Sequence, residues 1–414
     1  MTDRSERFGR TDWERVIGLS VLAFLILFSY AIARPTTESL FLEAHGSEEL
    51  PWVWALVAGT ALVVVAIYNR VVPGRELVGL FGAAALLSGL LLVGLQGARA
   101  VGAPGVHHAL YVWKDVYVVV LVEIYYTFAN SVFPIRTARW AYGWFGMVGA
   151  FGGMVGNLAV GGLATRYGTA SALWLVLPLL AAMWGVCVVL ARRAGHRGTA
   201  DEERPGVLAG LGVVWRSEYL VLVLLLIGVV QVAITLVDLQ FNTVVEQVHP
   251  DTDQRTAVIG QVYAAISAGT IVLHALTGPV LRLAGVPLTL LGIPGVLGVA
   301  VGGFAAAPAF FTVAVAKVAS KCLDYTLFRA AKEILYIPLG YREKTEGKAV
   351  VDMLTYRVAK GGVALLLVAL ASVRTVGLVN SLTTGALVVW IGLTAVIISR
   401  FRARVSREEE MRAA

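Results

Sequence analysis

Apolar runs of about twenty residues recur from one end of this 414-residue chain to the other, each closed by a short polar or Gly/Pro-containing break. They lie at 16–33, 51–69, 77–95, 109–129, 140–163 and 171–191. After a long polar interruption at 192–217 they resume at 219–241, 257–281, 286–307, 309–330, 350–373 and 378–399. Runs of this length and polarity predict membrane-spanning helices. Composition agrees, with 58% hydrophobic and 15% charged residues against about 45–50% apolar and about 25% charged in soluble domains. The first run is too long for a signal-peptide core and no small-residue cleavage site follows it, so it is expected to remain as a span. No stretch reads as a large soluble domain.

The formal net charge of +7 would suit nucleic acid, but no soluble face interleaves basic and aromatic residues, so a nucleic-acid partner is not expected. The charge follows loop parity instead. Arg34, Arg99, Arg166, Arg255 and Arg374 stand in or beside the odd-numbered breaks; the other Lys and Arg outside the runs lie at the termini and in the even-numbered breaks, including Arg192, Arg193, Arg197, Arg204 and Arg216 in the interruption. The positive-inside rule then places both termini in the cytoplasm of a multi-pass inner-membrane protein in contact with the lipid bilayer. Twelve runs in two sets of six predict an all-α membrane protein of major facilitator architecture: an N-terminal six-helix bundle at 1–191, a cytoplasmic linker at 192–217 and a C-terminal six-helix bundle at 218–414. Proteins of that architecture bind substrate near the midplane, between repeats.

The fifth run carries Gly143, Gly146, Gly149, Gly153 and Gly156 at helical spacing. Small residues on one helix face let backbones approach closely in lipid, and the patch Ala264, Ala265, Ala268 and Gly269 in the eighth run is the expected mate. The glycines are no dinucleotide fingerprint, because no strand precedes them. Cys187 and Cys322 stand alone in apolar runs and predict inert buried thiols, and His274 has no ligand-spaced partner. No nucleophile, metal or phosphate-loop motif is present, so enzyme chemistry, a cofactor and a metal are not expected.

Charges inside the runs are the functional signal, since an ionisable group at mid-bilayer costs roughly 2.5–3.5 kcal/mol on insertion scales. Lys317, Lys321 and Asp324 are spaced i, i+4, i+7 and share one helix face, continued by Phe328. Lys114 shares a face with Tyr111, Val118 and Tyr125, and Glu123 points nearly opposite with Tyr126 and Asn130. Arg34 and Glu38 form an i, i+4 pair around Pro35. Asp238 is the only charge in the seventh run, at a position related to Arg34 by the six-plus-six repeat, and Arg357 and Lys360 charge the eleventh run. Excess cations of this kind suit a small anionic substrate: Lys114, Lys317 and Lys321 hold it, Arg357 and Lys360 add positive potential, and Asp238, Asp324 and Glu123 orient it or carry a coupling proton.

At KEILYIPL (332–339), KTEGKAVVD (344–352) and R-x-x-K-G (357–361) the chain resembles the ATP/ADP translocase family, nucleotide transporters with a major-facilitator-like fold. RPTTESLFLEAHG (34–46), FAN (128–130) and TLVDLQFN (235–242) extend the resemblance. It implies exchange of a nucleotide or related phosphorylated anion against a counter-substrate. His45, Ser131, Asp238 and Asn242 depart from the residues usual in nucleotide exchangers, so they bear on substrate choice and leave the scaffold intact. The matched loop also makes sense as a cytoplasmic gate, with Lys332 and Glu333 at one helix end and Lys348 and Asp352 at i, i+4 near the next. The expected function is a secondary transporter moving an organic anion by alternating access. A proton-coupled exporter of apolar or cationic compounds, working through Asp238 and Asp324, and a non-transporting membrane scaffold or sensor are the alternatives.

Overall fold

The structure, a computed structural model, describes residues 10–132, 135–194 and 207–413. Every element in them is helical. The first six runs lie on α1 (Arg10–His45), α2 (Leu50–Val71), α3 (Leu77–Ala100), α4 (Val106–Val132), α5 (Ile135–Tyr167) and α6 (Val176–Ala194). A short helix, α7 (Val207–Arg216), leads into α8 (Glu218–Val248), α9 (Thr252–Ala306), α10 (Phe310–Leu323), α11 (Arg329–Leu335), α12 (Lys348–Ala369) and α13 (Val376–Ala413).

Among the described residues, 8 helices are long and apolar enough to cross a membrane: those of α1, α2, α3, α5, α6, α8, α9 and α13. The fourth, tenth and eleventh runs are also helical. The fourth carries Lys114, Asp115 and Glu123 mid-helix, and the tenth is divided by a π-helical turn at Asp324–Phe328. At 1.5 Å per residue the 55 residues of α9 would extend about 80 Å, against a hydrocarbon thickness of about 30 Å. Gly285 breaks it, with φ 70° and ψ 168°, a backbone region essentially reserved for glycine. The runs at 257–281 and 286–307 are therefore separate helical stretches.

Packing divides the chain into two compact units: Met1–Ala44, Thr60–Glu203 and Asp251–Ala268 form the first; His45–Gly59, Arg204–Pro250 and Gly269–Ala414 form the second. The cut near residue 203 falls in the polar interruption, but two short segments pack out of sequence order. Segment 251–268 is tied into the first unit by Asp253, whose Oδ1 accepts from both the backbone N–H and the hydroxyl of Thr169 at 2.6 Å. Arg255 adds a 3.4 Å hydrogen bond from Nη1 to the Ser39 carbonyl. In the second unit, Glu246 Oε2 accepts from the Ser47 N–H at 2.8 Å and Arg374 Nη2 donates to the Glu48 carbonyl at 3.0 Å. Each unit has its own apolar core, the first around Leu22, Phe81, Trp113 and Phe145, the second around Leu226, Phe328 and Trp390.

The fifth run does pack through glycine. A Cβ on Gly152 would lie 2.4 Å from the Phe24 carbonyl oxygen, and one on Gly156 2.6 Å from that of Phe28, so α1 and α5 touch backbone to backbone. On the opposite side α5 meets the start of α9, where a Cβ on Gly260 would lie 2.6 Å from the Asn157 carbonyl oxygen and one on Gly161 3.3 Å from Ala257. The eighth run is thus the mate, but through residues 257–267 rather than centred on the Ala264–Gly269 patch. Gly269 serves the second unit, where its Cβ would meet Cys322 Sγ at 2.7 Å. Gly143 and Gly146 face open space, so the spacing overstated the contact at that end.

These contacts predict a graded response to alanine. Gly152→Ala should push α1 off α5 and lower stability by about 1–3 kcal/mol, read as a lower thermal midpoint in detergent, whereas Gly143→Ala should leave the midpoint unchanged.

Candidate functional site

Three charged residues of the tenth run, Lys317, Lys321 and Asp324, meet α8. Asp238 is buried there, and Lys317 Nζ on α10 donates to its Oδ1 at 2.7 Å while Lys321 Nζ donates to Oδ2 at 2.9 Å. The i, i+4 spacing of the lysines stacks them on one face of α10, so a single carboxylate on the facing helix reaches both. Lys317 is 1% exposed and Lys321 6%, and the Lys317 ammonium also lies 5.0 Å from the Phe241 ring centroid. Taking such groups out of water costs several kcal/mol per ion unless partners satisfy them. One anion between two cations supplies that pairing and leaves a net charge of +1. The Asn242 amide donates to the Asp238 carbonyl at 2.7 Å, fixing the turn that presents the carboxylate.

Asp324 continues the same stripe toward the same helix. It hydrogen-bonds Gln231 on α8, two turns before Asp238, and its charged neighbours are Lys321, Arg329 and Lys332. The π-helical turn at Asp324–Phe328 places an extra residue in the helix, and such turns are frequent at functional sites. Phe328 turns inward against Trp390, ring centroids 5.9 Å apart.

The loop expected to act as a gate is closed by Glu333, which pairs with Lys348 at 2.5 Å and Lys332 at 3.9 Å. Lys348, whose ammonium also stands 5.2 Å from the Tyr336 ring centroid, thus pairs across the loop to Glu333. The side chain of Asp352, its expected i+4 partner, lies outside the described residues. Glu343, which no local spacing in the sequence marks, is the anchor. It accepts from Ser217, the N-cap of α8, and from the Gly340 N–H at 3.1 Å, and it lies 3.7 Å from Arg404 of α13. Arg357 and Lys360 stand i, i+3 on α12, both partly buried.

The first unit holds a different arrangement. Arg34 Nε donates to Glu38 Oε1 at 3.0 Å, as the spacing predicted, and Tyr263 donates to Glu38 Oε2 at 2.7 Å. The Arg34 guanidinium stacks 4.1 Å from the Tyr263 centroid and 5.9 Å from that of Tyr30. Tyr30 donates to Asp115 Oδ1 at 3.1 Å, and Lys114 Nζ donates to Asp115 Oδ2 at 3.0 Å. Lys114 is buried, with its ammonium 3.8 Å from the Tyr111 centroid. Two cations and two carboxylates make this network neutral. Glu123 is exposed on the opposite face of α4, as predicted.

The two units match in one further respect. Glu38-Ser-Leu-Phe41 and Asp238-Leu-Gln-Phe241 each set a buried carboxylate one turn before a buried phenylalanine. Phe41 meets Tyr111, centroids 5.2 Å apart, beside Lys114, and Phe241 lies beneath Lys317. Glu38, rather than Arg34, is therefore the counterpart of Asp238, and each of Arg34 and Asp238 has partners within its own unit. Tyr263 carried no sequence signal, since nothing local marks a tyrosine that completes an ion pair on a helix more than two hundred residues away. His45 ends α1, Ser131 donates to the Phe128 carbonyl, and neither lies among the triad's described partners.

Residues 196–401 match the family model described as TLC ATP/ADP transporter. The chain is 23% identical to ADP,ATP carrier protein 1 of Chlamydia muridarum over 86% of its own length and 81% of the carrier's. It is 23% identical to ADP,ATP carrier protein 2, chloroplastic, of Arabidopsis thaliana over 96% of its length and 76% of that protein's. Among solved structures, a bacterial homologue of the iron transporter ferroportin in an inward-facing state superposes with a TM-score of 0.69 at 11% identity, covering 94% of this chain and 98% of that one. That likeness establishes the fold alone. The chain is a multi-pass membrane transporter that resembles the ATP/ADP translocase family on a major-facilitator-like fold.

Proposed function

We propose that the protein is a secondary transporter that moves a nucleotide or a closely related phosphorylated anion by alternating access of two six-helix halves, 1–191 and 218–414, joined by the linker 192–217. Twelve spans with both termini in the cytoplasm of an inner-membrane protein fit the distribution of Lys and Arg. The observation that carries the reading is the buried Lys317–Asp238–Lys321 triad, whose net charge of +1 an anionic group offsets. Similarity to ADP,ATP carriers supplies the substrate class.

The triad gives this reading a mechanism. Asp238 keeps both lysines positioned and their charge compensated while the carrier is empty. An arriving phosphate takes over one lysine, and the carboxylate keeps the other. Charge-assisted hydrogen bonds of this kind are about twice as strong as neutral ones, so the bound anion is held without any ion being stranded. Two cations share one carboxylate in the triad, which suits an anionic cargo and exchange against a counter-substrate of the same sign. Arg357 and Lys360 on α12 add positive potential, while Glu123 and the network of Arg34 and Lys114 serve the first half. Lys332, Glu333, Lys348 and Asp352 act at the cytoplasmic gate, where exposed pairs break and remake at a cost of about 1 kcal/mol each. Export of cationic compounds is disfavoured by the sign of the triad's net charge.

Lys321→Gln should abolish ATP uptake into proteoliposomes preloaded with ADP while leaving the purified protein monodisperse; wild-type uptake by this variant would remove the triad from the transport path. Asp238→Asn leaves two buried ammonium groups without their anion and should destabilise the protein by about 3–5 kcal/mol. Adding Lys321→Gln to it should recover part of that loss in thermal unfolding. A double variant less stable than Asp238→Asn alone would mean that the lysine, not its charge balance, supports the fold.

A further inference from the structure

The charges of the second unit form a continuous alternating series. Asp238 stands between Lys317 and Lys321; Asp324 has Lys321, Arg329 and Lys332 as its charged neighbours; Glu333 stands between Lys332 and Lys348. From Lys317 to Lys332 the series runs fifteen residues along one helical column, about 22 Å at helical rise. Beside its lower part is a cavity of about 390 Å³ lined by Gln231, Asp324, Tyr325, Arg329, Lys332 and Glu333, with Ile227 and Phe328 as its apolar wall.

The helix residues lining that cavity repeat at intervals of four: 324 and 325, 328 and 329, 332 and 333. In an uninterrupted α-helix, positions eight apart are rotated by about 80° and would stand at the two edges of a wide face. The π-helical turn at 324–328 absorbs that rotation and brings Arg329, Lys332 and Glu333 onto the face that holds Asp324. Arg329 is exposed into this space, and its planar guanidinium is suited to bidentate contact with a phosphate. A feature that costs regular helix geometry and yields a wall of converging charges points to a ligand.

We propose that this cavity is a second anion subsite, taking the terminal phosphate of the transported molecule on the side of the 336–348 loop, one step from the triad. Resting on the nucleotide-transport reading for its substrate class, it assigns Arg329 as a binding residue and Lys332 as its partner. A phosphate seated there competes with Glu333 for Lys332. Glu333 is also the residue that holds Lys348 across the loop, so occupancy of the subsite is communicated to the loop through one shared carboxylate.

Sided transport separates this subsite from the triad. In oriented proteoliposomes, Arg329→Gln should raise the apparent KM for ATP about tenfold on the loop side and less than twofold on the opposite side, with Arg329→Lys recovering most of the loss. An equal rise on both sides, or none on either, would overturn the subsite. Binding provides a readout independent of transport. Pyrophosphate should change the intrinsic fluorescence of the detergent-purified wild-type protein through Trp390, which contacts Phe328 of the cavity wall. The change should be lost in Trp390→Phe and weakened about tenfold in affinity by Arg329→Gln. Pyrophosphate affinity unaltered by Arg329→Gln would also overturn it. Wild-type protein that binds pyrophosphate through Arg329 but transports no nucleotide would instead overturn the substrate assignment and support the subsite.

Discussion

A carboxylate held between two ammonium groups in the interior of a membrane protein is a demanding object, and the second unit is arranged around making it possible. Neither lysine is tolerable there alone, and Asp238 alone would be equally costly. The three are therefore interdependent: α8 and α10 must lie side by side, in register, with Asp238 opposite the gap between Lys317 and Lys321. Apolar packing around Leu226, Phe328 and Trp390 holds the helices at the distance this requires. The arrangement pairs two cations with one carboxylate, and Asp324 stands next along the same column beside Lys321.

The first unit solves the same burial problem to a different end. Its described pairs set two cations against two carboxylates, with three tyrosines beside them. Both units nevertheless place a carboxylate one turn before a phenylalanine and a lysine three apolar runs further along the chain. Backbone contact through Gly152, Gly156 and Gly260 then brings α1, α5 and the start of α9 close around the neutral network.

Much of this was legible in the sequence because helical periodicity reports faces. The spacing of Lys317, Lys321 and Asp324 showed that they share a stripe, and Arg34 and Glu38 announced their pairing. Which element a stripe faces is a different kind of information. Nothing around Lys317 indicates that its partner is Asp238, eighty residues earlier, and the excess of cations in the tenth run overstated how bare they are. The pairing of Lys348 with Glu333 rather than with an i+4 residue was hidden for the same reason, since a loop can bring distant charges closer than a helix turn does. The π turn was invisible too, because a pattern read at 3.6 residues per turn cannot register one extra residue.

That turn makes the column depend on how the helix is wound as well as on its chemistry. A substitution anywhere along it alters one contact. Winding the same five residues as ordinary α-helix would turn Lys332 by about 80° relative to Asp324, carrying Arg329, Lys332 and Glu333 toward the edge of the wall they share with Asp324 while every side chain remained present; removing one residue as well would set Asp324 and Lys332 seven positions apart, within about 20° of one another. The lower half of the charge series is thus encoded in the winding of one turn, and a homologue one residue shorter there would bring the same charges to one face with an ordinary helix.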